Sequence, residues 1–107
     1  MKSAPSRAAS PSVAHDADKA ARIAEVLKAV AHPLRLRLIA LLCKSDMEVN
    51  ELADRLGASQ PIVSQQLRIL RLHRLVGASR ENGRATYRLL EPRLRDLVDC
   101  MEHCTLR

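Results

Sequence analysis

Apolar residues recur at helical period over most of the chain and alternate strand-like in one stretch only, close to its end. In DKAARIAEVLKAVA, residues 18–31, Ala20, Ile23, Leu27 and Val30 follow the three- and four-residue steps of one helical face. Asp18 is placed to cap that helix. His32-Pro33 closes it, because proline disfavours a helical residue before it, and Pro33 suits the first position of a new helix. That second helix, PLRLRLIALLCK, is apolar nearly all round apart from Arg35, Arg37 and Lys44, which predicts a place at the centre of the core. The break SDMEV comes next, with residues 47–49 expected as a short strand. Asn50 is expected to cap a brief helix, ELADRL, which Gly57 ends in the left-handed conformation. Ser59 caps the following helix, Pro61 sits just inside its start, and Val63, Leu67, Ile69 and Leu70 form its buried side.

From Leu75 the period shortens. LVGASRENGRATYRLL alternates on either side of Glu81-Asn82-Gly83, and Asn-Gly is the strongest short-range hairpin signal. EPRLRDLVDCMEHC then returns to a helical stripe of Leu94, Leu97, Val98 and Met101. Two helices joined through Gly57-Ala58 make a helix-turn-helix, and the basic hairpin after them is a wing. The expected fold is therefore mainly α with a small β-hairpin, a winged helix-turn-helix occupying residues 17–107. Residues 1–16, rich in Ala, Ser and Pro and without apolar period, are expected to be a disordered tail.

Charge narrows the class of partner. The chain has 107 residues and a formal charge of +6. Between Ser59 and Arg88 lie six arginines (68, 71, 74, 80, 84 and 88) against one acid, Glu81, a local +5 that suits a polyanion. The bland alternative is a solvated surface. Tyr87 is the single aromatic residue, which excludes an aromatic stacking platform for single strands. No stretch reads as a signal peptide or a membrane span, and three cysteines without an export signal point to a reducing cytoplasm. No phosphate loop, nucleophile motif or paired-carboxylate constellation suggests an enzyme.

In a helix-turn-helix the N-terminal half of the second helix enters the major groove. Here it carries Ser59, Gln60, Ser64, Gln65 and Gln66. Glutamine can pair in a bidentate way with an adenine edge, and serine reaches bases or phosphates. Arg68 and Arg71 are better placed for phosphates, and Arg80 and Arg84 flank the wing turn where they could grip backbone. The partner implied is double-stranded operator DNA, with no cofactor needed for binding it. Glutamines on an ordinary solvated helix are the competing reading.

VLKAVAHPLRLRLIALL, then VNELADRLGASQPIVSQQLRILR, then Leu-Val and R-x-x-G-R-x-x-Y-R-L resemble the ArsR/SmtB family of bacterial winged-helix repressors over residues 20–104. The HPLRL and SQQL segments are most similar to the branch that contains persulfide-responsive repressors. The resemblance implies a homodimer built on the first and last helices. It also implies release of DNA when a small inorganic inducer binds: a metal ion, a metalloid or a reactive sulfur species. Two departures stand out. Arg74 occupies the place of a usual helix-ending glycine, and Glu48-Val49-Asn50 replaces the Cys-x-Cys of metal-binding relatives. The last-helix metal site of zinc-sensing relatives is also fragmentary, with His103 and Cys104 near the right place but Glu91, Pro92 and Arg93 at the helix start.

The cysteines leave three readings open. Cys100 and Cys104, four apart with Asp96 and His103 adjoining, could bind trivalent arsenic, antimony or a soft metal ion, with Cys43 as third sulfur. Alternatively Cys43 and Cys104 (or Cys100) could join through a disulfide or polysulfide bridge in a persulfide or redox switch, as the resemblance implies. Finally, all three could be small apolar filler in a regulator without a small-molecule switch. Of these, a thiophilic metalloid or metal inducer is the preferred expectation. His15 and Asp16 in the tail, His32 before Pro33 and His73 among the arginines are weaker ligand candidates.

Overall fold

The computed structural model describes residues 12–105. A 3-10 turn, Val13–His15, leads into α1 (Ala17–Val30), α2 (Pro33–Leu42), β1 (Met47–Glu48), α3 (Val49–Leu56), α4 (Gln60–Leu72), β2 (Val76–Glu81), β3 (Arg84–Leu89) and α5 (Arg93–Glu102). The strands form one antiparallel sheet in the order β1-β3-β2. The expected hairpin is present, and the short strand joins it, with Met47 opposite Tyr87 and Glu48 opposite Thr86. Of the sixteen residues expected to form a tail, 1–11 lie outside the described residues. Ser12 caps the 3-10 turn, and Asp16 is the N-cap of α1, its carboxylate accepting from the Lys19 amide at 3.0 Å.

Asp16 corrects the expectation for Asp18, which lies in the first turn instead. Asn50 is a second correction. β1 runs straight into α3, so Glu48 is the cap residue, without a side-chain bond, and Asn50 already lies inside the helix. The other local signals hold. Gly57 ends α3 at φ 62, and the Ala58 amide reaches back to the Ala53 carbonyl. Ser59 caps α4, and His32 caps α2 through its ring nitrogen, with Pro33 the first helical residue. Asn82 and Gly83 take φ 55 and 78, the paired left-handed geometry of a two-residue hairpin turn.

Leu38, Ile39 and Leu42 of α2 are fully buried, together with Leu52 of α3 and Val63, Leu67 and Leu70 of α4. The second helix is thus the centre of the core, as its nearly all-round apolar pattern predicts. The wing root, Leu75 and Val76, and one side of α5, Leu94 and Val98, close the core. The stripe of α1 behaves differently. Ala29 and Val30 are buried, but Ile23 and Leu27 are 38% and 46% exposed. They line an open apolar hollow of about 480 Å³ shared with Val26, Leu94 and Leu97.

Candidate nucleic-acid interface

The helix-turn-helix is held by local chemistry. The buried residues Val63, Leu67 and Leu70 turn one side of α4 to the core, and the 3.6-residue period then sends Ser64, Gln65, Arg68 and Arg71 outward. With Pro61 and Tyr87 of β3 these four line an open hollow of about 440 Å³ between α4 and the wing sheet. Tyr87, which the sequence did not mark as an interface residue, forms the β3 side of that hollow. The signal for it was the alternation of RATYRL, which sets Ala85 and Tyr87 on the same face of β3.

The remaining expected contacts divide. Ser59 caps α4, its hydroxyl accepting from the Ile62 amide at 3.4 Å. The Gln60 amide donates to the Asn50 side-chain oxygen, joining the two helices of the motif. Gln66 is half-buried on the flank nearest α2, where its Oε1 accepts from Nη1 of Arg35 at 3.0 Å. Arg80 and Arg84 are exposed on the two wing strands. Arg84 approaches Glu48 at 3.8 Å, but with Arg84 74% exposed such a pair contributes no more than about 1 kcal/mol and does not immobilise it.

The thiols are spread over two places. Cys43 ends α2 and is half-buried in a hollow of about 340 Å³ with Ala40, Lys44, Arg95, Asp96, Asp99 and Glu102. Burial pushes its thiol pKa up; Arg95 acts in the opposite direction, and Glu102 adds to the rise. Cys100 and Cys104 are exposed, and neither lines that hollow. Cys100 lies in the last turn of α5, whereas Cys104 follows the C-cap His103 beyond the helix, so the helical four-residue spacing expected for the pair does not extend to Cys104. Cys43 thus lines a hollow that neither of the other two thiols lines. No group of three His, Cys, Asp or Glu side chains able to hold a metal ion occurs among the described residues. His103 caps α5, its Nδ1 2.8 Å from the Asp99 carbonyl oxygen and 3.6 Å from the Asp99 carboxylate. Those two interactions, the backbone hydrogen bond first, raise its pKa. His15 and His73 are exposed, and His15 lies in the 3-10 turn.

A helical core carrying a capped helix-turn-helix and a basic hairpin beside it defines the winged-helix class of DNA-binding domain. Residues 32–77 match the family described as "Bacterial regulatory protein, arsR family". The biofilm growth-associated repressor of Xylella fastidiosa is 36% identical over 83 residues, which cover 78% of this chain and 73% of that protein. The transcriptional repressor BigR from Xylella fastidiosa superposes with a TM-score of 0.77 at 34% identity, over 84% of this chain and 94% of that one. The AntR antimony-specific transcriptional repressor gives a TM-score of 0.77 at 27% identity, over 95% and 94%. The chain belongs to the ArsR family. It is a DNA-binding regulator of transcription, and its relatives are regulators rather than enzymes. Among the described residues no helix is long and apolar enough to cross a membrane.

Proposed function

We propose that the chain is a dimeric cytoplasmic repressor that holds double-stranded operator DNA in the absence of its inducer. The observation that carries this reading is the hollow shared by Ser64, Gln65, Arg68 and Arg71 with the wing residue Tyr87. An amide able to pair in a bidentate way lies there among guanidinium groups, which supports base reading beside phosphate grip. Arg80 and Arg84 extend the grip along the wing, and the domain spans residues 17–107. The exposed apolar faces of α1 and α5 pair two chains, setting the recognition helices roughly 34–36 Å apart to match successive major grooves. Gln65→Ala weakens preference at one base pair. Arg80→Ala and Arg84→Ala weaken binding to all sequences and each lower the salt slope by about 1. A salt slope unchanged in both wing variants removes the wing from the DNA contact.

The inducer acts through thiols. For trivalent arsenic or antimony the exposed pair Cys100 and Cys104 offers two sulfurs, and Cys43, half-buried in a separate hollow and in no metal-holding group of three among the described residues, stands apart from that reading. We infer that a thiophilic inducer is captured by Cys100 at the end of α5 and Cys104 just beyond it. The likeness to an antimony-specific repressor supports this reading. A second reading, a persulfide or redox bridge from Cys43 to α5, is favoured by the packing of α2 on that helix, where Nε of Arg95 lies 3.4 Å from the Cys43 carbonyl oxygen. Intact mass of the reduced protein after anaerobic exposure to arsenite, to a polysulfide donor and to oxidised glutathione separates the two. One arsenic gained on a Cys43→Ser variant, with loss of DNA binding, supports capture at the pair. Sulfur-bridged peptides containing Cys43 support the bridge. No adduct with any reagent leaves a winged-helix regulator without a thiol switch.

A further inference from the structure

We propose that Gln66 positions the recognition helix instead of reading a base, and that Arg35 and Gln66 together clamp α4 to the end of α1. The proposal rests on the DNA-binding reading above and deepens it. Three observations carry it. First, Nε of Arg35 donates to the Ala29 carbonyl at 2.6 Å. That carbonyl lies in the last turn of α1, and its helical partner four residues on is Pro33, which has no N–H to give. Ala29 is 3% exposed, so its carbonyl needs a donor from inside the protein. Arg35 supplies one from the first turn of the next helix.

Second, the same guanidinium turns Nη1 toward α4 and donates to Oε1 of Gln66 at 3.0 Å. The donors of a guanidinium are fixed in one plane, so the first bond aims the second. The two bonds make α1, α2 and α4 one unit, and each pair of these helices is in contact. Third, bidentate pairing with adenine asks for the oxygen and the nitrogen of a glutamine amide at once. In Gln66 the oxygen is committed to Arg35 and the side chain is half-buried. Its neighbour Gln65 is exposed in the hollow beside the wing. The two adjacent glutamines therefore have different tasks: Gln65 faces the groove and Gln66 faces the scaffold. Since α1 also carries the exposed residues Ile23 and Leu27, the clamp connects the reading helix to the face on which two chains are proposed to meet.

A double-mutant cycle on the full chain tests this, with Arg35→Met, Gln66→Ala and both together. The contact itself is read without DNA, in thermal melts. Its presence makes the combined loss of midpoint smaller than the two single losses added, whereas strict additivity overturns the clamp. Its consequence is read by titrating a duplex that the wild-type chain has selected from a random-sequence pool. Each single variant should bind that duplex about tenfold more weakly, the double variant no weaker than either single one, with base preference unchanged at every position. A preference lost at one base pair in Gln66→Ala and kept in Arg35→Met overturns the proposal, because it makes Gln66 a reader. If Arg35→Met does not fold, Gln66→Glu decides. Its carboxylate still accepts from the guanidinium, so affinity should stay within about threefold of wild type, and a loss as large as that of Gln66→Ala overturns the clamp. Selection of no duplex by the wild-type chain defeats the DNA-binding reading, and the melts then judge the contact alone.

Discussion

Arg74 has φ 59, a conformation that costs a residue with a Cβ roughly 1–2 kcal/mol. The chain tolerates it because the α4 terminus is well bonded. The Leu75 amide reaches the Leu70 carbonyl at 3.0 Å, the Arg74 amide reaches Arg71 at 2.9 Å, and Leu75 is buried beneath the turn. The turn also starts the wing, since Val76 opens β2 directly after Leu75. Gly57 does the same work at the end of α3 without the strain. Arg74→Gly should therefore stabilise the folded chain by about 1 kcal/mol, raising the thermal midpoint by several degrees in a domain of this size. A midpoint that stays put or falls means that the Arg74 side chain contributes more than its backbone costs. The resemblance to the family pointed to this position, since Arg74 stands where a helix-ending glycine is usual, and left open whether the residue would turn left-handed or the helix end differently.

The separate elements show where such local reading works and where it stops. Ser59, Gly57, His32-Pro33 and Asn82-Gly83 all specify structure through neighbours a few residues away, and all behave as the sequence predicts. Asp18 and Asn50 were chosen by the same logic. They failed because the 3-10 turn in one case, and β1 in the other, sets where the helix begins. Gln66 and Cys43 lie further beyond local reading, since their surroundings depend on how α2 packs against α4 and α5. Half of the signal for Gln66 was present: once Val63, Leu67 and Leu70 define the core side of α4, residue 66 falls on its edge. At the end of α5, His103 has a pKa raised by the Asp99 carbonyl and carboxylate. A raised folded-state pKa gives a contribution that is complete below the unfolded value, about 6.5, and lost as pH rises through the folded one. The last turn of α5, just before Cys104, should therefore be more helical near pH 6 than near pH 8. Cα chemical shifts across residues 100–104 measure this. His103→Ala should flatten the dependence, and a slope that persists in that variant assigns it to another group.

At the scale of the whole molecule, the core leaves an apolar stretch of α1 and α5 uncovered among the described residues. Ile23 and Leu27 of α1 are more than a third exposed, Met101 of α5 is 40% exposed, and Val26, Leu94 and Leu97 line the hollow beside α1. A domain of this size has little core to spare, so apolar side chains spent on a surface stripe call for a partner. The rim fits that role, with Lys19, Arg22 and Arg93 beside Glu91, a polar border around an apolar centre. A second copy of the chain meets the geometry because a two-fold contact sets the same patch against itself. Leu27→Glu places an unpaired charge at the centre of that patch while leaving the buried residues Leu38, Ile39 and Leu42 untouched. If the wild-type chain dimerises as proposed, the variant should sediment as a monomer where the wild-type chain sediments as a dimer, keep its helical content, and bind operator DNA at least tenfold more weakly because one half-site is engaged instead of two. Phosphate contacts within a single half-site are retained, so the salt slope should fall to about half its dimer value. A monomeric variant with undiminished affinity would show that one winged helix suffices for binding. A variant that stays dimeric would move the subunit contact off α1 altogether, and with it the link from that contact through Arg35 to the recognition helix.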